Sequence, residues 1–220
     1  MTYNNTTCNN DTSEGYVEYR TYAHRHADII LEQRDEYKYQ YIEICETLKS
    51  IKDEEIILEY DGMTRSSKKS ISEPINSIIK QKLTRIGWEA ESCIFADRYY
   101  QISANGRKSG TWRLDFAKNA IAVEVAFNHR SDISWNLVKP TLSAELNHVP
   151  KAIQTDIGII VAATRSLKAV GGFDSACGTY EDYVAYLKPM YHMLTVPLLI
   201  IGLEKPKTFV IEDRQIKYIE

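Results

Sequence analysis

The segment at 111–127, TWRLDFAKNAIAVEVAF, alternates apolar and polar residues in two short runs. An alternation with a period of two is typical of β-strands that bury one face, and the Lys118-Asn119 pair between the runs suits a tight turn. The segment therefore predicts a β-hairpin. Successive side chains of a strand point to opposite sides, so the large apolar residues share one face and contribute to a core. The other face carries Arg113, Asp115, Ala122, Glu124 and Ala126.

Two carboxylates, Asp115 and Glu124, lie on the polar face of this hairpin. With the turn at Lys118-Asn119 they are diagonal neighbours, about 7–8 Å apart at the backbone. Carboxylates at this spacing favour a bound cation, and Mg²⁺ suits them because it prefers oxygen ligands. The alternative is an ordinary hairpin with a solvated acidic face, in which Arg113 pairs with Glu124.

Length and composition predict a globular protein. The chain has 220 residues, 44% of them hydrophobic, which suits one domain at 15–220 after a loose polar tail at 1–14. Its four cysteines are widely spaced and indicate reduced thiols in a cytoplasmic protein rather than a zinc ribbon or a disulfide framework. No apolar run is long enough to span a membrane. The net charge of −3 gives no global attraction to nucleic acid, but it allows a local basic groove.

Apolar periodicity predicts the other elements. A strand and turn at 17–33 lead into a helix at 35–50, and a further helix is predicted at 72–86, with a possible Ser72 cap. Two more helices are predicted at 134–149, bent or interrupted at Pro140, and at 181–194. Continuous apolar runs predict buried strands at 156–164 and 196–203, and the end of the chain, 208–220, predicts a small hairpin. This order predicts an α/β fold with a mixed central β-sheet flanked by helices.

Four stretches of the chain resemble the BglII-type restriction endonucleases, a group that includes BstYI and is related to BamHI. They occur in the family's order and read YAHRHADIIL, SEPINSIIKQKLTRIGW, DFAKNAIAVEVAF and PLLIIGL. The third stretch is the most specific. In the family an Asp, eight intervening residues and Glu-Val-Gln-Phe form the nuclease hairpin, and Asp115 and Glu124 have this spacing. The resemblance implies a PD-(D/E)xK nuclease core.

This resemblance also implies a Mg²⁺-dependent active site. Asp115, Glu124 and the backbone carbonyl of Val125 match the metal ligands, and the metal lowers the pKa of a bound water and screens charge on the phosphate. Glu91 matches a further polar or acidic position of family sites; the alternative is a solvated loop glutamate.

One position departs from the family. The third catalytic residue is Lys in most of the class and Gln or Glu in this branch, whereas this chain has Ala126. Alanine can neither orient a water nor neutralise charge. Either the residue has been changed to trap an uncut complex, or another side chain substitutes, with Lys118 and His129 as candidates by proximity. Ala126 also supports an alternative function, a sequence-specific DNA-binding protein that does not cleave.

Base contacts are predicted at two places. The segment that follows the second hairpin strand reaches the major groove in relatives, and its polar side chains suit base edges: Asn128, His129, Arg130 and Ser131. Its alternative is a polar loop that caps the next helix through Ser131 or Asp132. The family has a second set of base contacts after a buried strand, which matches Arg165, Ser166 and the loop at 174–179 with Ser175.

Phosphate contacts are predicted in two basic loops: Lys68 and Lys69 in one, Arg107 and Lys108 in the other. Taken together, the sequence predicts a homodimeric type II restriction endonuclease that acts on double-stranded DNA at a palindromic site, because a palindrome mirrors a two-fold dimer. The resemblance suggests a GATC-like centre for this site. It also implies a cognate DNA methyltransferase that acts on the same site.

Overall fold

A six-stranded sheet forms the centre of the molecule, for which a computed structural model describes residues 17–64, 69–103, 106–107, 109–145 and 148–219. The predicted tail at 1–14 and two candidate phosphate contacts, Lys68 and Lys108, lie outside these residues. The strand order is β1-β6-β5-β4-β3-β2. In chain order the strands are β1 Tyr19–His24, β2 Glu89–Cys93, β3 Arg113–Lys118, β4 Ile121–Val125, β5 Ile157–Ala163 and β6 Leu198–Leu203.

The three middle strands are parallel and the outer ones antiparallel. β5 pairs in parallel with both β4 and β6, while β1, β2 and β3 join as antiparallel strands. Every residue of β5 and β6 is buried, as their continuous apolar sequences predict for strands covered on both faces. The predicted strands at 156–164 and 196–203 and the mixed sheet are thereby confirmed.

The β3–β4 hairpin is present, but its turn lies one residue later than predicted. Phe116 pairs with Val123 and Lys118 with Ile121, so Asn119 and Ala120 form the turn. Asn119 has φ 50°, a left-handed conformation that asparagine tolerates better than most residues. The same register, continued by one step, sets Asp115 directly opposite Glu124 rather than diagonal to it. The two carboxylates are therefore closer than the sequence predicted.

Four helices cover one face of the sheet: α1 Ala27–Gln33, α2 Asp35–Lys49, α3 Asp53–Gly62 and α4 Ser72–Arg85. Their apolar residues form one core with alternate residues of the central strands, including Val123, Ile159 and Ile201. Neither α1 nor α3 was predicted from the sequence. Ser72 does not cap α4, because the helix begins at Ser72 itself, after Ile71, and has no side-chain cap.

The opposite face carries α6, Ile133–Ala144, and α8, Tyr180–Leu187. These helices pack on Ile160, Ala162 and Ile200 in a second core. α6 continues through Pro140 and ends before the predicted residue 149. The end predicted for α8 at 194 is also wrong, since Pro189 has no amide hydrogen for the next helical bond.

Short elements complete the fold. They are α5 Arg98–Gln101, α7 Arg165–Val170, the 3-10 turn Arg130–Asp132 and a hairpin of β7 Phe209–Glu212 with β8 Gln215–Tyr218. The hairpin predicted at the end of the chain is thus confirmed. None of the helices in the described ranges is long and apolar enough to cross a bilayer.

Small residues let α6 lie close to the sheet. A Cβ atom on Gly158 of β5 would come within 2.5 Å of Pro140 Cβ and 2.6 Å of Leu198 Cδ2. The neighbour of Gly158 on β4 is Ala122, another small residue. Because Gly158 and Ala122 are both small, α6 packs close to the sheet. Lys139, the residue before Pro140, is thereby brought against β4.

Candidate active site and nucleic-acid interface

Asp115 and Glu124 face each other across the β3–β4 hairpin. Asp115 Oδ2 accepts a hydrogen bond of 2.7 Å from the backbone amide of Val125, which fixes the carboxylate at the end of β4. Glu124 is 1% exposed. Burial raises the pKa of Glu124 well above its ordinary value of 4.5, and the facing Asp115 raises it further. Burial likewise raises the pKa of Asp115 above 3.8. The arrangement therefore favours binding of a positive charge.

Lys139 of α6 provides one such charge. Its Nζ forms an ion pair with Oε2 of Glu124, and both side chains are almost fully buried. The other oxygen, Oε1, is buried and has no hydrogen-bond partner. Arg113 does not pair with Glu124, and its own Nε is buried without a hydrogen-bond partner, so the alternative of an Arg113–Glu124 pair is wrong.

These carboxylates fit the ligand set that the sequence predicts for Mg²⁺. A buried carboxylate oxygen without a partner, next to a second carboxylate, suits a hard cation. No group of three or more His, Cys, Asp or Glu side chains in the described part of the chain could hold a metal ion. A cation here would therefore rely on Asp115, Glu124, the predicted Val125 carbonyl and water.

Glu91 lies on β2 beside this pair. Its neighbours Ala90 and Ser92 pair with Phe116 and Leu114 of β3, so Glu91 stands level with Asp115. It is exposed, has a left-handed φ of 57° and lies 3.9 Å from Lys80 Nζ. Its charge contributes to raising the pKa of Asp115, after burial as the main cause. The structure thus brings Glu91 to the site but in a more solvated position than the other two carboxylates.

Neither candidate substitute for Ala126 is among the charged groups that act on Glu124 in the described part of the chain, which are Asp115 and Lys139. Lys118 Nζ donates to Glu43 Oε1 at 2.8 Å and to the Ile86 carbonyl at 2.7 Å. Both partners belong to the helical layer formed by α1 to α4. His129 forms a backbone bridge with Cys177 in the loop after β4. Ala126 itself is 2% exposed and packs in the second core with Leu137.

Sequence reasoning missed Lys139 as the residue next to Glu124. One signal was available, because a charged residue interrupts the buried positions of α6, which include Ile133, Leu137 and Pro140. A lysine at such a position needs a buried partner. The identity of that partner could not be read from spacing along the chain.

The predicted base-reading segment, 128–131, is exposed beyond the end of β4. It is joined to the second predicted reading loop at 174–179: the Gly178 amide donates to the Asn128 carbonyl at 3.0 Å, and the Arg130 amide donates to the Ala176 carbonyl at 2.8 Å. The alternative capping role is not supported, because Asp132 precedes α6 without a side-chain cap. Both reading segments therefore form one edge outside the carboxyl ends of parallel strands, a common position for ligand sites in α/β folds.

Asp182 forms an ion pair with Arg130 at this edge. Arg130 Nε lies 3.2 Å from Asp182 Oδ2. Burial acts to raise the pKa of Asp182, but hydrogen bonds from Thr179 and the charges of Arg130 and Arg165 lower it below its ordinary 3.8. Sequence reasoning did not identify Asp182. The Arg165 amide also donates to Glu181 Oε2 at 3.0 Å, which places Arg165 at the start of α8.

The remaining candidates are exposed. Ser175 lies in the same loop, and its carbonyl accepts a bond of 2.8 Å from Lys168 Nζ. Lys69 is close to this loop, since its carbonyl lies where a side chain on Gly172 would point. Arg107 is exposed in the connection between α5 and β3.

The family model described as "Restriction endonuclease BglII/BglIII" matches residues 19–203. The chain belongs to this family. Membership confirms the resemblance drawn from the hairpin spacing and identifies the chain with type II site-specific deoxyribonucleases. No match is found among curated protein sequences.

Solved BglII structures share the fold of this family member. The crystal structure of restriction endonuclease BglII complexed with a DNA 16-mer aligns with a TM-score of 0.58 and 19% identity, over 90% of this chain and 86% of that chain. Free BglII aligns with a TM-score of 0.52 and 18% identity, over 91% of this chain and 99% of that chain. At these identities the likeness concerns the fold, and it confirms the predicted restriction-endonuclease-like core.

Proposed function

We propose that this BglII/BglIII-family chain hydrolyses phosphodiester bonds in double-stranded DNA with Mg²⁺ held by Asp115 and Glu124. One observation carries the proposal. Two carboxylates face each other at the end of β4, and one oxygen of Glu124 is buried without a partner. Two facing carboxylates repel each other unless a positive charge lies nearby, and a divalent cation supplies more charge than the Lys139 ammonium alone.

Mg²⁺ at this position would polarise the scissile phosphate and activate a water as the nucleophile. The chain's own contribution is to hold the ligands. Val125 fixes Asp115 through its amide and offers its carbonyl as a further ligand, while Glu91 stands level with Asp115 at the solvent side. These positions support the roles that the sequence predicts for them.

The DNA duplex lies, in this proposal, along the edge formed by 128–131 and 174–179. The structure of BglII with a DNA 16-mer supports a DNA-binding role for this fold, which the two proteins share. Polar side chains at the edge read bases: Asn128, His129, Arg130, Ser131, Arg165 and Ser175. The basic residues Lys69 and Arg107, with Lys68 and Lys108 from the sequence prediction, contact phosphates.

We further propose a cytoplasmic homodimer, with one domain at 15–220 in each chain, that cuts a palindromic site with a GATC-like centre. A methyltransferase of the same restriction–modification system would protect that site. Family membership favours cleavage over the alternative of DNA binding without cleavage.

Digestion of a sequenced plasmid tests the proposal. The wild-type chain with Mg²⁺ should give a fixed set of fragments whose ends map to one palindrome. Asp115→Asn should lose cleavage by about a hundredfold or more, because it removes a charged ligand and leaves Glu124 with a neutral neighbour. A gel shift without cuts, in both Mg²⁺ and Mn²⁺, would instead identify a binding protein.

A further inference from the structure

We propose that Lys139 of α6 positions Glu124 for the reaction and supplies the positive charge that β4 lacks at Ala126. This inference rests on the proposed nuclease function. The side chains of Lys139 and Glu124 are only 9% and 2% exposed. Burying an ion pair carries a large desolvation cost, and apolar residues of similar volume often replace such pairs without loss of stability. A buried pair beside a second carboxylate is therefore better explained by a role in the site than by stability.

The two oxygens of Glu124 have different surroundings. Oε2 binds Lys139, whereas Oε1 is buried and has no hydrogen-bond partner. Asp115 is likewise fixed through one of its oxygens, because Oδ2 accepts a hydrogen bond from the Val125 amide. A carboxylate held at one oxygen presents the other in a fixed direction, as the outer partners of metal ligands do in general. Lys139 thus does for Glu124 what the Val125 amide does for Asp115.

Packing explains why this charge comes from the helix. Ala126 lies in the second core with Ile133 and Leu137 of α6, so a long side chain at position 126 would enter occupied space. α6 lies close enough for Lys139 to reach Glu124 because Gly158 leaves room for Pro140. The chain after β4 therefore has a small residue at Ala126, and α6 provides the nearby charge through Lys139.

The other nearby lysines do not provide this contact. Lys118 binds Glu43 among the helices of the opposite face. Lys80 lies 3.9 Å from Glu91, and its side chain is 55% exposed, so water weakens its effect on the carboxylate pair. Among the lysines for which the structure gives an ion pair, Lys139 is the one bound to Glu124.

The first test compares Lys139→Met with the wild type in two assays: single-turnover cutting of a plasmid that the wild type cleaves, and titration of the metal-free protein with Mn²⁺. We expect the cleavage rate and the Mn²⁺ affinity each to fall by about 10–100-fold, the usual cost of losing an outer partner of a metal ligand. Lys82→Met is the control for loss of a lysine ion pair elsewhere, because Lys82 pairs with Glu55 at 3.0 Å between α3 and α4, where both side chains are partly exposed. It should leave both quantities unchanged.

A charge swap separates this role from a merely structural one. Ala126→Lys/Lys139→Ala moves the ammonium from α6 to β4 on the same face of the sheet, into volume that the truncated side chain at position 139 vacates, and it is compared with Lys139→Ala alone. Relative to Lys139→Ala, the cleavage rate and the Mn²⁺ affinity should each rise by at least about tenfold. A swap that folds, as judged by thermal unfolding, but recovers neither quantity would overturn the proposal.

Unchanged or tighter Mn²⁺ binding by Lys139→Met would also overturn it, because the ammonium would then only compete with the cation. Should Lys139→Met unfold, Lys139→Gln replaces it in the same assays, since the amide keeps a donor for Oε2 but no charge. If the wild type cuts no DNA in Mg²⁺ or Mn²⁺, the proposed function fails, while the Mn²⁺ titration still decides the role of Lys139.

Discussion

Glu124 is a carboxylate that water hardly reaches, with a second carboxylate opposite and one ammonium beside it. Burial and the charge of Asp115 both favour its protonated form, so the pKa of Glu124 is raised well above 4.5 in the folded chain. In the unfolded chain the same group regains its ordinary pKa. Between the two values Glu124 binds more protons in the folded state than in the unfolded state, so the contribution of this group to stability falls as the pH rises through this range.

This sign gives a prediction for the metal-free protein. In EDTA, the melting temperature of the wild type should decrease more steeply with pH above 4.5 than that of Glu124→Gln, which cannot titrate at this position. Thermal unfolding at a series of pH values measures the two slopes. Excess Mg²⁺ should reduce the difference, because a bound cation favours the ionised carboxylates. Identical slopes for the two proteins in EDTA would contradict the prediction.

Single residues differ in how far the sequence could identify them. Asp115 and Glu124 were predictable because both belong to one hairpin, where alternation assigns each side chain to a face. Lys139 and Asp182 were not, since their partners Glu124 and Arg130 lie on other elements. Contacts between a helix and a strand depend on tertiary packing, which the spacing of residues along one segment does not contain.

Among the elements, α6 connects the edge formed by 128–131 and 174–179 to the carboxylate pair. It begins directly after the 3-10 turn at Arg130–Asp132 and carries Lys139 in its second half. Its distance from the sheet depends on Gly158, against which Pro140 packs. The sequence predicted this helix and a disturbance at Pro140, but it did not predict where the helix ends or how close it lies to the sheet. The glycine that sets this distance belongs to a strand that is far away in the sequence.

Gly158→Ala tests this packing. The added Cβ would meet Pro140 Cβ at 2.5 Å, so either the helix or the strand must shift. Overpacking of this kind should lower the free energy of unfolding by about 1–3 kcal/mol, measured by urea denaturation. Cleavage should slow as well, because Lys139 moves with the helix.

Gly62→Ala is the control for Gly158→Ala. A Cβ at Gly62, the last residue of α3, would meet nothing within 4 Å. Its stability should therefore stay the same or rise by about 0.4–1 kcal/mol, since alanine restricts the unfolded chain. Equal stability of Gly158→Ala and the wild type would show that α6 adjusts without cost.

At the scale of the whole molecule, a chain with a net charge of −3 must bind a polyanion. The net charge provides no long-range attraction, so we expect the affinity for DNA to depend on the local edge where Arg130, Arg165 and Lys69 are found. The sequence predicted these residues and the mixed sheet that supports them. It could not predict that the segments 128–131 and 174–179 would meet, because that contact depends on how the loops after separate strands fold back.

Reading and holding of DNA can be separated at this edge. Arg130→Ala should weaken binding to a duplex with the mapped site by about 1–3 kcal/mol more than binding to a scrambled duplex, as expected for a base contact. Lys69→Ala should weaken both duplexes equally and reduce the salt slope by about one unit, as expected for a phosphate contact. Titrations at two salt concentrations measure both effects. Equal losses on the two duplexes for Arg130→Ala would assign that segment to the backbone.

The two-residue turn at Asn119 and Ala120 limits how sequences of this kind can change in length. One inserted or deleted residue there would move every later side chain of β4 to the other side of the sheet, since the strand period is two. Glu124 would then enter the aliphatic core, and Val123 or Val125 would replace it opposite Asp115. Insertions and deletions at this turn are therefore expected to abolish cleavage as completely as loss of a carboxylate, even where every functional side chain is retained.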